Sequence, residues 1–290
     1  MSESLKQTLL AYKQMAKLRI VYMVLVTTAI GYLLGRNGAV DWIVLLSTLF
    51  GTGAAAAGAA ALNNFVEREV DGRMERTCNR PLPAGILDPA QALAFGVLLV
   101  LGGVGLLLWK VNLLAAFIVL LTAFLYVLVY TPLKKVTWLN TSIGAIPGAM
   151  PPLAGWVAAS GELHLGAWIL FFILFAWQHP HFYAIAWMYR DDYARGGLKM
   201  LPVVEPSGRR MFRHIEGFSI LLIGVSILPT ATGMMGILYL VGALVLGFML
   251  LWYGMVLTRT RTIPDARKLL RASVIYLPLL LVLIVLDLAV

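Results

Sequence analysis

The sequence is short of charge. Only 13% of its 290 residues are Asp, Glu, Lys or Arg, where a soluble globular domain carries about 25%. Acidic residues are scarcer than basic ones, 14 against 23. There are four histidines and a single cysteine, Cys78, which excludes an intrachain disulfide. No cleavable signal and no Arg- and Ser-rich presequence stands ahead of the first apolar run, so a bacterial inner membrane is expected rather than an organelle. What the sequence has instead is apolar residues, 60% of the total, and they are blocked into long runs.

A helix needs about 20 apolar residues to cross a bilayer. Nine stretches approach that length, near residues 20–35, 42–62, 90–109, 113–130, 139–160, 165–188, 215–235, 238–258 and 272–290. The expected fold is all-α: a single membrane domain over 1–290, a bundle of about nine transmembrane helices with cap loops on one side. Threading the chain with its N-terminus in the cytoplasm leaves only Arg36 and Lys110 of the 23 Lys and Arg on the far side. This asymmetry predicts N-in, C-out, with the long loops cytoplasmic. It also accounts for the net charge of +9 without a nucleic-acid partner. The small-residue run GTGAAAAGAAAL in the second span reads as close helix packing. Pro147, Pro151 and Pro152 in the fifth predict a broken or kinked helix.

The chemistry-bearing residues gather in the loops. Asn63, Glu67 and Asp71 continue the second span at i, i+4 and i+8, so they share one helical face. An amide oxygen and two carboxylates at that spacing suit Mg²⁺, which takes a few carboxylates together with substrate phosphates. Arg73, Arg76 and Arg80 follow at intervals of three and four, and Lys134 and Lys135 add cations from another loop. Cations beside a metal-binding face suit a polyanion such as diphosphate. A salt-bridged helix end and a positive-inside anchor explain either half alone, but not the two together. Asp191 and Asp192, followed by Arg195 and Lys199, form a second acidic loop. It is readable as a further metal site or as a solvated turn. Ahead of it, Trp177, His179, His181 and Tyr183 lie near the end of a span. Ionisable groups there are costly and usually functional, and an imidazole can serve as a metal or haem-iron ligand or as a proton carrier.

The segments Asn63-Asn64-Phe65-Val66-Glu67-Arg68-Glu69-Val70-Asp71 and RTCNRPLP at 76–83 resemble the first acidic motif of the UbiA-type intramembrane prenyltransferases. Asn64 and Glu67 stand where aspartates are usual. That departure is similar to one branch, the protohaem IX farnesyltransferases or haem O synthases. YTPLKK at 130–135, NTSIGAIPGAMPPLAGW at 140–156, WQHPHFYAIAW at 177–187 and DDYARGGLKMLPVV at 191–204 resemble the same branch.

The resemblance implies a nine-helix bundle around a lipid-open cavity, and a farnesyl transfer from farnesyl diphosphate to haem B. It implies Asn63, Asn64, Glu67, Asp71 and Lys134 as catalytic residues. Mg²⁺ would sit on Asn63, Glu67, Asp71, Asp191 and Asp192. Diphosphate would meet Arg73, Arg76, Arg80, Lys135, Arg195 and Lys199, and haem would contact Trp177, His179, His181 and Tyr183. Membrane lipid surrounds such a protein, and a haem A synthase is the partner that would receive its product. The second acidic loop departs from the wider superfamily, having only two neighbouring aspartates. A quinone-precursor prenyltransferase and an anion transporter are the alternatives. Glu67 and WQHPHFY argue against the first, and the lack of an inverted repeat against the second.

Overall fold

The computed structural model describes residues 3–288, and all regular structure among them is helical. Thirteen residues, α1 (Glu3–Met15), lead to a sharp bend at Lys17, whose backbone is left-handed with φ 49°. Then come α2 (Leu18–Gly35) and α3 (Trp42–Asp71). Asp41 starts α3 by accepting hydrogen bonds from the N–H groups of Ile43 and Val44, a side-chain cap on otherwise orphaned donors. At 30 residues and about 1.5 Å per residue, α3 outruns the roughly 30 Å hydrocarbon core. Its last turns therefore carry Asn63, Glu67 and Asp71 out of the bilayer on one unbroken helix.

The chain continues through α4 (Pro89–Lys110) and α5 (Leu113–Phe124), each with a side-chain cap, Asp88 and Asn112 respectively. A π-helical turn, Leu125–Tyr130, joins α5 to the short α6 (Thr131–Leu133). The fifth apolar stretch is two half-helices, α7 (Asn140–Ala149) and α8 (Pro151–Ser160). Pro151 and Pro152 lack the N–H that would continue the ladder, so the helix stops at Met150 and restarts. Each half has ten residues, and only end to end do they reach across a bilayer. The remainder is α9 (Leu165–Met188), α10 (Arg190–Arg195), α11 (Leu201–Val204), α12 (Arg209–Ala231), α13 (Ile237–Thr260) and α14 (Ile263–Leu288). Residues 289 and 290, the end of the ninth apolar stretch, lie outside the described residues.

Among the described residues eight helices are long and apolar enough to cross a membrane, and α7 with α8 supplies a broken ninth crossing. The chain is a multi-pass membrane protein. Its outer surface shows Phe50, Leu98, Leu113 and Ile237, side chains that lipid covers without cost. Inside, small residues set the spacing. A methyl group on Gly31 would overlap the Pro152 carbonyl, and one on Gly155 the Thr28 carbonyl, so α2 and α8 touch backbone to backbone. At the end away from the long loops, Asp287 accepts hydrogen bonds from Gly236 N–H and Tyr239 N–H and so caps the start of α13.

Candidate active site

The end of α3 is the most polar part of the interior. Asn63, Asn64, Glu67 and Asp71 are all buried. The Asn63 amide donates to Glu67 Oε2 and to Thr131 Oγ1, both at 3.0 Å. Thr131 in turn donates to the Tyr126 carbonyl at 2.8 Å. That bond lies across the π turn, a deviation that recurs at functional sites. Just past it, Thr131 and Lys134 both meet α3, and the Tyr130 ring packs on Gly144 of α7. The Asn64 amide donates to the Met15 carbonyl at 3.1 Å, tying the end of α1 to the site.

Three cations converge on this acidic face. Lys134 Nζ lies 2.8 Å from Glu67 Oε1 and 4.5 Å over the Tyr130 ring. Arg80 Nη1 lies 2.7 Å from Asp71 Oδ2. Lys17, at the bend between α1 and α2, donates to Asn63 Oδ1 at 2.8 Å. Burial, and then Arg80 and Lys134 beside it, bring the Lys17 ammonium down to about 7. Burial also opposes the charge on Lys134, but the Tyr130 oxygen and the Glu67 carboxylate outweigh it and its pKa is raised. The cluster is a buried pocket in which Lys134 and Arg80 are each paired with a carboxylate of α3.

The other predicted diphosphate contacts are placed differently. Arg73, Lys135 and Lys199 are exposed. Arg76 lies over Tyr189 and Tyr193, 4.8 and 5.6 Å from the ring centres. Arg195 pairs with Asp192 at 2.9 Å and Glu75 at 3.1 Å. Lys199 contributes backbone: its N–H donates to the Lys134 carbonyl and its carbonyl accepts from Asn140.

The second acidic loop does not join the first. Asp192 accepts the backbone N–H of Glu75 at 2.8 Å and of Arg76 at 3.3 Å. Burial works against its charge, but these N–H groups and Arg195 outweigh it and hold the carboxyl below its usual range. Asp192 is thus a clasp between two cap loops. Asp191 is exposed and reaches only Arg190, at 3.6 Å. Among the described residues no three His, Cys, Asp or Glu side chains converge as a metal group. Of the five residues expected to hold metal, Asn63, Glu67 and Asp71 stand together on α3, while Asp191 and Asp192 are engaged in the other cap loop. Those three fit Mg²⁺ by donor type, although Asn63 Oδ1 is engaged by Lys17 and both Glu67 oxygens are engaged by Lys134 and Asn63. They are hard oxygen donors on one face, and Asp71 Oδ1 is buried with no hydrogen-bond partner, a donor left for a ligand to satisfy.

The histidines form a separate cluster. His179 is fully buried, with Nδ1 2.8 Å from the Phe175 carbonyl and Nε2 3.1 Å from Ser142 Oγ. Its ring stacks on Phe218 at 3.5 Å. His181, two residues on, points to the other side of α9. Its Nδ1 lies 2.9 Å from Ser273 Oγ on α14, and the Trp177 indole donates to the Ser273 carbonyl. Tyr183 bonds a residue that the sequence reading passes over, His214, at 2.9 Å. A sequence signal for it exists: Arg210 and His214 stand at i and i+4, on one face of α12.

Comparison with known proteins places this geometry. A family model described as the UbiA prenyltransferase family matches residues 24–279. The chain is similar to the protoheme IX farnesyltransferase of Solibacter usitatus (strain Ellin6076), 49% identical over 285 residues, with 95% of this chain and 98% of that one covered. A solved structure of a digeranylgeranylglyceryl phosphate synthase matches with a TM-score of 0.81 at 20% identity, covering 97% and 98% of the two chains. A UbiA homolog from Archaeoglobus fulgidus bound to GPP and Mg²⁺ matches with a TM-score of 0.67 at 14% identity, covering 94% and 99%. At these identities the structures establish the shared fold.

Proposed function

The chain belongs to the UbiA prenyltransferase family, and on that premise we propose that it transfers a farnesyl group from farnesyl diphosphate to a vinyl group of haem B. The products are haem O and diphosphate. The observation that carries this reading is the buried face of Asn63, Glu67 and Asp71 met by Lys134, Lys17 and Arg80. A relative 49% identical over nearly the whole chain bears that activity in its name.

The difficult step is heterolysis of the C1–O bond of an allylic diphosphate. Charge develops on the departing oxygens, and preorganised cations are worth most in a site that excludes water. Lys134 and Arg80 are fixed by their carboxylate partners, so little reorganisation is needed as that charge grows. Asn63, Glu67 and Asp71 would hold Mg²⁺, which when bound supplies Lewis-acid neutralisation of the phosphate oxygens. The allylic cation lies near the Tyr126 and Tyr130 rings, which stack 5.7 Å apart and offer negative faces. The haem vinyl π electrons then form the new bond to C1, leaving a cation on the carbon next to the porphyrin. Water adds there and releases its proton, giving the hydroxyethylfarnesyl group.

Trp177, His179, His181 and Tyr183 are the aromatic and imidazole groups of α9 offered to haem, His179 and Tyr183 on the side of α7 and α12 and Trp177 and His181 on the side of α14. The site end of the bundle, which collects nearly all the Lys and Arg, faces the cytoplasm of a bacterial inner membrane, N-in and C-out. The product suits direct passage to a haem A synthase. The test is conversion of haem B by the detergent-purified protein with farnesyl diphosphate and Mg²⁺. Farnesylated haem is expected from wild type and not from Glu67→Ala. Absence of product from wild type, with haem bound, would overturn the acceptor assignment.

A further inference from the structure

We propose that Lys17 is an exchangeable cation of the site: its ammonium holds Asn63 Oδ1 until metal and diphosphate arrive, and then passes to the diphosphate. This rests on an allylic diphosphate as the donor and adds a residue to the set that receives it. The starting point is an overlap. Asn63 has one oxygen to offer Mg²⁺, and the Lys17 ammonium lies 2.8 Å from it. The Asn63 amide nitrogen is committed on the other side, to Glu67 and Thr131. Turning the amide over would set its N–H groups against the ammonium. Two cations converging on one buried oxygen repel strongly, so Lys17 releases Asn63 as metal binds there. Its neighbours then decide where it goes. Arg80 and Lys134 repel the ammonium, and Glu67 and Asp71 attract it. Once those two carboxylates face a metal ion, the anion left to compensate Lys17 is the diphosphate itself.

The backbone suits such an exchange. Lys17 is a one-residue joint between two helices. Its N–H closes α1 on the Gln14 carbonyl at 3.3 Å, and its carbonyl opens α2 by accepting from Ile20 and Val21. Among the described residues, Arg261 is the one other non-glycine residue with positive φ. A side-chain-bearing residue keeps that conformation where its surroundings impose it, and such residues cluster at functional sites. The surroundings are plain here. Ala11 and Met15 of α1 are buried with Ala61 of α3, Leu82 and Leu87 of the cap loop and Ala92 of α4. Tyr12 packs on Phe95, ring centres 4.7 Å apart. Asn64 ties the joint to α3 from inside, its amide donating to the Met15 carbonyl at 3.1 Å while its oxygen accepts from Arg80 at 3.4 Å. An aspartate at 64 would have no N–H for Met15 and would set negative charge against that carbonyl. With the joint held at both ends, the flexible four-carbon stem of a lysine can move its point charge from one partner to another.

The test compares two affinities of the full-length protein in detergent, for wild type, Lys17→Met and Lys17→Arg. One is for Mn²⁺ alone, followed by its electron paramagnetic resonance signal in place of Mg²⁺. The other is for farnesyl thiodiphosphate, a donor analogue that ionises slowly, in the presence of Mg²⁺. Lys17→Met keeps the apolar stem and removes the charge. It is expected to bind Mn²⁺ more tightly than wild type, because the competing ammonium is gone. It should bind the thiodiphosphate roughly 10–100-fold more weakly, the scale of one charged hydrogen bond. Lys17→Arg keeps the charge and should stay near wild type in both. A residue that only supports the fold would not move the two affinities in opposite directions. Equal or weaker Mn²⁺ binding by Lys17→Met overturns the exchange. So does unchanged thiodiphosphate binding, or a Lys17→Arg variant that behaves like Lys17→Met; the donor assignment stands in each case. A wild type that binds no thiodiphosphate overturns the donor reading as well.

Discussion

Two acidic segments of this molecule look alike on paper and have opposite fates. Glu67 and Asp71 lie on the last turns of a 30-residue helix, buried, each facing a cation, with one Asp71 oxygen unspent. Asp191 and Asp192 lie on a six-residue helix in a loop. Asp192 spends its oxygens on two backbone N–H groups and Arg195, and the Asp191 side chain is 91% exposed. The difference lies in the scaffold. A long helix imposes its period on the acids and holds them inside the bundle rim, while a short loop helix turns its acids to its own backbone. Glu67 meets Lys134 with one oxygen and the Asn63 amide with the other, inside the cation-lined pocket, and Asp71 keeps one oxygen without a partner.

The sharpest way to break this comparison is at Glu67. Glu67→Ala should lower farnesyl transfer on the order of 10²–10³-fold, the scale of removing one preorganised electrostatic group, read as product formed per haem bound. Lys134→Met should fall in the same range. It also strands the buried Glu67 carboxylate, so its thermal stability in detergent should drop as well. Equal activity of wild type and Glu67→Ala would place the chemistry elsewhere.

Smaller effects are expected in the second loop. Asp192→Ala frees two backbone donors and Arg195, and charged hydrogen bonds of that kind contribute about 1.5–3 kcal/mol. Proteolysis of the 72–88 cap loop should quicken, with activity loss following loop opening. The clasp should also respond to acid. Its folded carboxyl sits below the ordinary value. Its contribution is therefore complete above about pH 3.9 and lost as pH falls through the folded value. Asp192→Asn should remove that acid-dependent opening; a loop that opens with the same pH profile in both proteins would show that another group is responsible. The smallest effect belongs to Asp191→Ala, within about 0.5 kcal/mol of wild type in stability and with near-normal turnover. A large loss there would restore the second loop to the metal site.

Much of the fold was legible in advance because the bilayer enforces it. Long apolar runs have few alternatives to spanning helices, and the shared face of Asn63, Glu67 and Asp71 follows from helical periodicity alone. Three proline positions marked the break between α7 and α8, although not that it leaves two equal halves. The π turn at Leu125–Tyr130 left no mark in composition, since a single extra residue per turn changes neither hydropathy nor caps. Lys17 and His214 were hidden for another reason. Each gains its meaning from a residue far away in sequence, Asn63 for one and Tyr183 for the other.

The sequence by itself determined a helical membrane bundle, the end at which its charges collect and the acidic face on α3. These follow from local periodicity and from the cost of charge in hydrocarbon, which each segment meets on its own. Only the tertiary structure decided what each carboxylate oxygen is bonded to, which cations oppose it and which partner each histidine meets. A side chain's remaining valence depends on what has already been bonded across the bundle, and that is a property of pairs of segments.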